Sequence, residues 1–324
     1  MPASDAPSFG YVELQGGTTR VRIVPTLGGR IASLIAAGRE WLWTNTALPA
    51  REPLDGAVYS EVGDSGGYDE CFPTIAPCNI PNGVPRYGGL ALPDHGELWA
   101  QRADVVVETH PDGHRATCTW EGRRLPYHFT RVVQVTGAGA VVMRYAVGNT
   151  GRDRIPFVWS AQPIFPMTPA TRLKLPTGAR ARIWSHRGDA LRGLVQEFRW
   201  PHARLEARLS DFSHPDLIGR QFACKLFLDV PPDAGVAAIE EGDARLEVAF
   251  DPRLVPHLGL WLNKGEWTPF KKGGRYLNLA IEPCIGPSDS LADALGAWGG
   301  AHWLEPGERR EWTLTWTGAR GCAA

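Results

Sequence analysis

The chain has 324 residues, with 34 basic against 35 acidic side chains and a net charge of -1. That balance removes the electrostatic footprint of a nucleic-acid or anionic-membrane binder, and 43% hydrophobic with 21% charged residues excludes a disordered or fibrous chain. No apolar run reaches membrane-spanning length. Met1-Pro2-Ala3-Ser4-Asp5-Ala6-Pro7 lacks a basic region followed by an apolar core, so the expectation is a soluble cytoplasmic protein. The 6 cysteines form no Cys-x-x-Cys pair, which predicts reduced thiols rather than a zinc or redox site. The 13 tryptophans suit a sandwich core, and two or three in a cleft would suffice to stack on sugar rings.

From Tyr11 to Ile35 apolar residues alternate around Gly16-Gly17 and Gly28-Gly29, predicting two or three short strands that begin with a hairpin. Gly28-Gly29-Arg30 lacks the spacing and following helix of a phosphate loop. Thr44 to Gly63 reads as irregular, wrapping the sheet. Asp104 to Thr109 and Ala116 to Trp120 form a predicted hairpin around Pro111-Asp112-Gly113. His110 and His114 flank its solvent-facing tip and are not read as metal ligands. Tyr127 to Val135, Ala140 to Val147 and Ile155 to Phe165 continue the strands. Arg182 to Trp184, Cys224 to Val230, Arg245 to Phe250, Leu258 to Leu262, Tyr276 to Ile281 and Glu311 to Trp316 complete them. The one short helix expected is Ser288 to Trp298. Many short strands with turn signals, and no linker or repeat, predict an all-β, large antiparallel sandwich formed by residues 1–324 as a single domain.

The stretch from Gly66 to Trp99 carries the chemistry. Gly66-Gly67-Tyr68-Asp69-Glu70-Cys71-Phe72-Pro73-Thr74 and Leu92-Pro93-Asp94-His95-Gly96-Glu97-Leu98-Trp99 are too broken by Pro and Gly to be helical. An imidazole beside a carboxylate, with a glycine that opens room, suits proton transfer. An ordinary surface turn is the alternative for Asp94-His95-Gly96 taken alone.

With these pieces in order, the chain resembles the galactose mutarotase-like (aldose 1-epimerase) superfamily over nearly its whole length. The matching landmarks are Gly28-Gly29-Arg30-Ile31-Ala32-Ser33-Leu34, Asp94-His95-Gly96, Asn149 with Pro156-Phe157 through Gln162-Pro163-Ile164-Phe165, and Leu279-Ala280-Ile281-Glu282-Pro283 through Pro287-Asp289-Ser290. The resemblance implies a supersandwich with a pocket on one concave face. It also implies anomer interconversion of an aldose by ring opening, with no cofactor or metal and a small carbohydrate as partner. Glu282 matches the family base, and His95 matches a histidine near the ring oxygen. Gln162 stands where family catalysts carry the imidazole acid, and an amide cannot give up a proton near neutrality. Either His95 protonates the ring oxygen, or the protein binds sugar without efficient conversion. A third alternative is an isomerase or epimerase of a modified sugar.

Further ligand contacts are expected from Asp69 or Glu70, which cannot both face the pocket from an extended backbone, and from Asp94. Trp159 or Trp261 would stack on the ring, with core packing the alternative. Lys225, if it faces inward, needs an anionic partner. Arg30 and Arg86 could hold a phosphate or carboxylate of the substrate, chance placement being the alternative.

Overall fold

A computed structural model describes residues 9–45, 48–206, 208–269 and 276–321. Cys322 lies outside the described residues, and the other five cysteines are free thiols. No helix among the described residues is long and apolar enough to cross a membrane.

Two antiparallel sheets, of 13 and 8 strands, face each other. The centre of the larger sheet runs Tyr68–Cys71, Trp159–Pro166, Leu277–Ile285, His257–Lys264, Ala223–Asp229 and Arg180–Arg187. The predicted N-terminal hairpin, Val12–Gly16 with Thr19–Val24, extends one end of this sheet through Arg30–Ala36. The smaller sheet is built around Arg309–Arg320, Val141–Asn149 and Tyr127–Val135. The architecture is the expected all-β antiparallel sandwich.

Alternation decides which side chains fill the space between the sheets. Trp312, Leu314 and Trp316 are buried at every second position of Arg309–Arg320, with Thr313 and Thr315 between them. Trp312 stacks on Tyr145 at 5.5 Å and meets Trp159 at 4.7 Å. Most of the tryptophan content of this region is therefore core.

A charge pair crosses the same space. Arg131, on the smaller sheet, donates to Glu70 on the larger at 3.2 Å. Tyr145 Oη donates to Glu70 Oε1 at 3.0 Å and Trp159 Nε1 donates to Oε2 at 3.0 Å. Burial pushes Glu70 up to about 7, against the pull of Arg131. Three donors on one fully buried carboxylate are what makes its burial tolerable.

Some local expectations change. Ser288 to Trp298 is not one helix. Only Leu291–Leu295 is helical, capped by Ser290 Oγ accepting from Asp293 N at 3.2 Å, and Gly296 ends it. Within Thr44 to Gly63, Tyr59–Gly63 forms a single π-helical turn. Val236–Glu241 is a strand that the apolar-run reading passed over, because its two alanines carry little hydrophobic signal.

Arg131→Met is expected to destabilise the protein by about 3–5 kcal/mol, because it strands a buried carboxylate. Removing both charges with Glu70→Leu/Arg131→Met should cost less than the single substitution. Urea unfolding of the two variants at pH 8 checks the order.

Candidate functional site

The outer face of the larger sheet is polar where the inner face is apolar. Asp69 pairs with Gln162 and Cys71 with Ser160, so these four side chains share one face, while Tyr68, Glu70 and Trp159 take the other. On the neighbouring strands Glu282 pairs with Gly259, and Lys225 pairs with Trp261 and Ser185. Glu282, Lys225, Trp261, Gln162 and Ser185 thereby line one pocket of about 300 Å³.

Glu282 forms its floor. The residue is 1% exposed, and an ion pair joins it to Lys225 Nζ. Ser160 Oγ donates to Glu282 Oε2 at 3.3 Å. Gly259 makes room for the carboxylate: a Cβ there would stand 2.8 Å from Glu282 Oε2. Lys225 Nζ also lies 3.3 Å from Asp289 Oδ1, and it sits over the Phe227 ring at 5.3 Å. One buried ammonium thus serves two carboxylates. Burial alone would lower the Lys225 pKa, but Asp289 and Glu282 raise it on balance. Burial raises Glu282 in turn, Asp289 adds to the rise, and Lys225 only partly opposes it.

His95 enters from the loop that covers the sheet. It adopts φ 59°, next to Gly96 at φ 73°. The glycine does not open room for a ligand, as the sequence suggested. A Cβ at Gly96 would stand 2.1 Å from Phe72 O, so glycine is what lets two backbones meet. His95 Nδ1 donates to Asp94 Oδ1 at 2.8 Å. Burial would raise Asp94, but that hydrogen bond and the imidazole charge hold it below the usual carboxylate range. The contact fixes the proton on Nδ1 and leaves Nε2 for a ligand.

A chain of contacts holds this pair. The Tyr59 ring stacks on His95 at 3.9 Å, and Tyr59 N donates to Asp94 Oδ2 at 2.9 Å. Tyr59 Oη donates to Asp69 Oδ2 at 2.8 Å, and Arg30 grips Asp69 through Nε at 2.9 Å and Nη2 at 2.6 Å. Asp69 and Arg30 therefore stand behind the pocket, holding Tyr59. They do not line it.

The other expected contacts divide. Glu70 and Trp159 face the inter-sheet core, because register puts them opposite Asp69 and Gln162. Arg86 is exposed on the loop between Cys78–Asn79 and Ala91–Leu92, away from the pocket lining. Gln162 Oε1 accepts weakly from Cys71 Sγ at 3.7 Å, and its NH₂ has no hydrogen-bond partner among the described residues. Trp261 lines the pocket and its Nε1 donates to Asn278 Oδ1 at 3.2 Å. Trp267 meets Trp261 at 5.9 Å and Tyr276 at 5.8 Å, making an aromatic wall.

Tyr59, Asp64, Trp267, Tyr276, Asn278 and Asp289 line the pocket without having been singled out as contacts. Asp289 lay within the last sequence landmark. Tyr59 and Asp64 come from a stretch with no periodic signal, which no pattern reading would have chosen. No group of three or more metal-ligating side chains occurs among the described residues.

No family model matches the chain, and no curated protein matches it by sequence. Solved structures do match. A galactose mutarotase-like protein from Lactobacillus casei superposes with TM-score 0.63 at 17% identity, over 96% of this chain and 100% of that one. The chain has the galactose mutarotase-like fold. A protein of that fold from Escherichia coli K12, provisionally named an aldose 1-epimerase, gives TM-score 0.67 at 17% identity over 97% and 100% of the two chains. Another so named, from Klebsiella pneumoniae, gives 0.68 at 14% identity over 98% and 86%.

Asp64 offers a test of the pocket's electrostatics. Burial pushes it up to about 6, Asp69 adds repulsion, and His95 and Arg30 pull the other way. A folded pKa above the unfolded value means stability is fully present at low pH and is lost as pH rises toward 6. A rise of about 2 pKa units corresponds to about 3 kcal/mol. Asp64→Asn should therefore gain on wild type by up to about 3 kcal/mol between pH 4 and pH 7, measured by urea unfolding across that range. A constant difference would contradict the burial described.

Proposed function

We propose that the protein is a carbohydrate mutarotase of the aldose 1-epimerase type, an isomerase that interconverts the anomers of a free or modified aldose. The observation that carries this reading is the juxtaposition of Glu282 on the pocket floor with an Asp94-oriented His95 on its wall. The names of the structural neighbours and the aromatic wall support a sugar as ligand. A pocket of about 300 Å³ is at the small end of ligand sites and suits a monosaccharide ring.

In this reading Glu282 takes the proton of the anomeric hydroxyl. His95, as imidazolium, protonates the ring oxygen through Nε2, the ring opens to the aldehyde, and reclosure after rotation about C1–C2 gives the other anomer. Asp94 stabilises the imidazolium, and the Arg30–Asp69–Tyr59 chain keeps its ring in place. Lys225 and Ser160 orient the base. Gln162, in place of an acid, donates hydrogen bonds to a sugar hydroxyl, and Trp261 and Trp267 stack on the C–H face of the ring.

A second reading keeps the sugar and drops the chemistry. Gln162 in the acid's position, and Lys225 partly neutralising Glu282, favour a non-catalytic carbohydrate-binding or sensing protein. An isomerase or epimerase acting on a carbon of a modified sugar would use the same base.

NMR exchange between anomers across a panel of neutral, phosphorylated and acidic aldoses separates these readings. A mutarotase accelerates at least one sugar above the buffer rate, and Glu282→Gln and His95→Ala each lower that acceleration by about a hundred- to ten-thousandfold. Ligand-induced shifts with buffer-rate exchange throughout would instead support binding alone.

A further inference from the structure

Next to the pocket lies a second, larger concavity whose chemistry is opposite. This groove of about 840 Å³ is lined by Arg187, Arg192, Arg208 and Arg220, with His186 and, among the described residues, the carboxylates Asp189 and Glu266. Two of the four guanidinium groups are committed. Arg192 Nη2 donates to Asp189 Oδ1 at 2.8 Å, and Arg208 donates to the Ile218 carbonyl. Arg187 and Arg220 are exposed, and their side chains make no ion pair or hydrogen bond among the described residues. The arginine pairs elsewhere on the surface, such as Arg180 with Glu197 and Arg253 with Asp251, contrast with them.

The groove and the pocket are lined by neighbouring residues of the same chain segments. Ser185 pairs with Lys225, and Arg187, two residues further, pairs with Ala223. Ser185 and Arg187 thus share the pocket face, separated by roughly 7 Å at two strand rises. On the other side Glu266 of the groove adjoins Trp267 of the pocket wall in sequence. A group held by Arg187 would be attached to a ligand about one sugar unit from Lys225.

We infer that the Arg187–Arg220 groove binds an anionic group carried by the ligand beyond the ring in the pocket: a carboxylate or sulfate on a second sugar residue, or a phosphate on the first. The forked guanidinium donors match planar and tetrahedral oxyanions equally well. The spacing favours a second residue, so the ligand is an acidic saccharide entering by its reducing end. This rests on the sugar pocket proposed above only for the ring from which the anion extends.

The test compares wild type with Arg187→Glu/Arg220→Glu, two exposed positions where charge reversal leaves the core intact. Calorimetric affinities are measured for glucose, glucose 6-phosphate, cellobiose and cellobiouronic acid, whose glucuronosyl group sits on a reducing glucose. Wild type is expected to bind cellobiouronic acid about three- to tenfold more tightly than cellobiose at low salt. The double variant should lose that preference while binding glucose as before. The same Arg-dependent preference for glucose 6-phosphate over glucose, without one for cellobiouronic acid, would place the anion on the first ring. No preference for either anion, or a preference that survives in the double variant, overturns the inference. Failure of every sugar to bind would instead refute the sugar pocket. Pyrophosphate at constant ionic strength then still reads the groove: a thermal shift in wild type alone supports an anion site, and equal shifts in both proteins overturn it.

Discussion

Adjacent residues on an extended chain must point to opposite sides of their sheet, and this constraint builds both the core and the pocket of the protein. At Asp69-Glu70 it sends one carboxylate toward Tyr59 and the other into the core toward Arg131. At Trp159-Ser160 it sends an indole inward and a hydroxyl toward Glu282. The same strands therefore bury aromatic rings on one face and present a carboxylate, an amide and an ammonium on the other. Mutual burial of the sheets fixes the inner face, and with it the register of the outer one. The floor of the pocket is thus set by the packing of the core beneath it.

The walls are made differently. His95, Tyr59 and Asp289 come from covering loops, and each is tied back to the sheet by charge-assisted contacts. Arg30, Asp69 and Tyr59 pass support to Asp94 and His95, while Asp289 reaches the floor through Lys225. These links hold loop-borne groups against strand-borne ones, the arrangement that the proposed acid–base chemistry would use. They also explain two departures from expectation. Arg30 and Asp69, taken from sequence as ligand contacts, are consumed in that support, and Gly96 serves backbone contact with Phe72 instead of ligand space.

Most of the fold was legible because strand signals are local. Alternation around Val12 to Ile35 and in Tyr127 to Val135 marks strands wherever one face is buried. The short helix was overdrawn because Ser288-Asp289-Ser290 announces a start, while Gly296 stops the helix after a single turn. In the site, Glu282 and Gln162 could be singled out only through the family resemblance, whereas Asp94 and His95 stand out in a turn and Lys225 in an apolar run. Glu70 and Trp159 could not be placed without register, since one residue of slip would have exchanged their faces. Tyr59 and Asp64 lie in a stretch whose position depends on tertiary contacts, and nothing periodic marks them. Lys225 needed an anionic partner on physical grounds, but only the fold brings Glu282, 57 residues away, and Asp289 to it.

The proposed ring opening needs an ionised Glu282 acting together with a protonated His95, and the pH dependence of kcat/KM for anomer exchange tests that pairing most directly. The predicted profile is bell-shaped. Its acid limb is displaced above the ordinary carboxylate range because burial raises Glu282, and its alkaline limb disappears in His95→Ala. A profile that follows the buffer blank, or an alkaline limb that persists without His95, would contradict it.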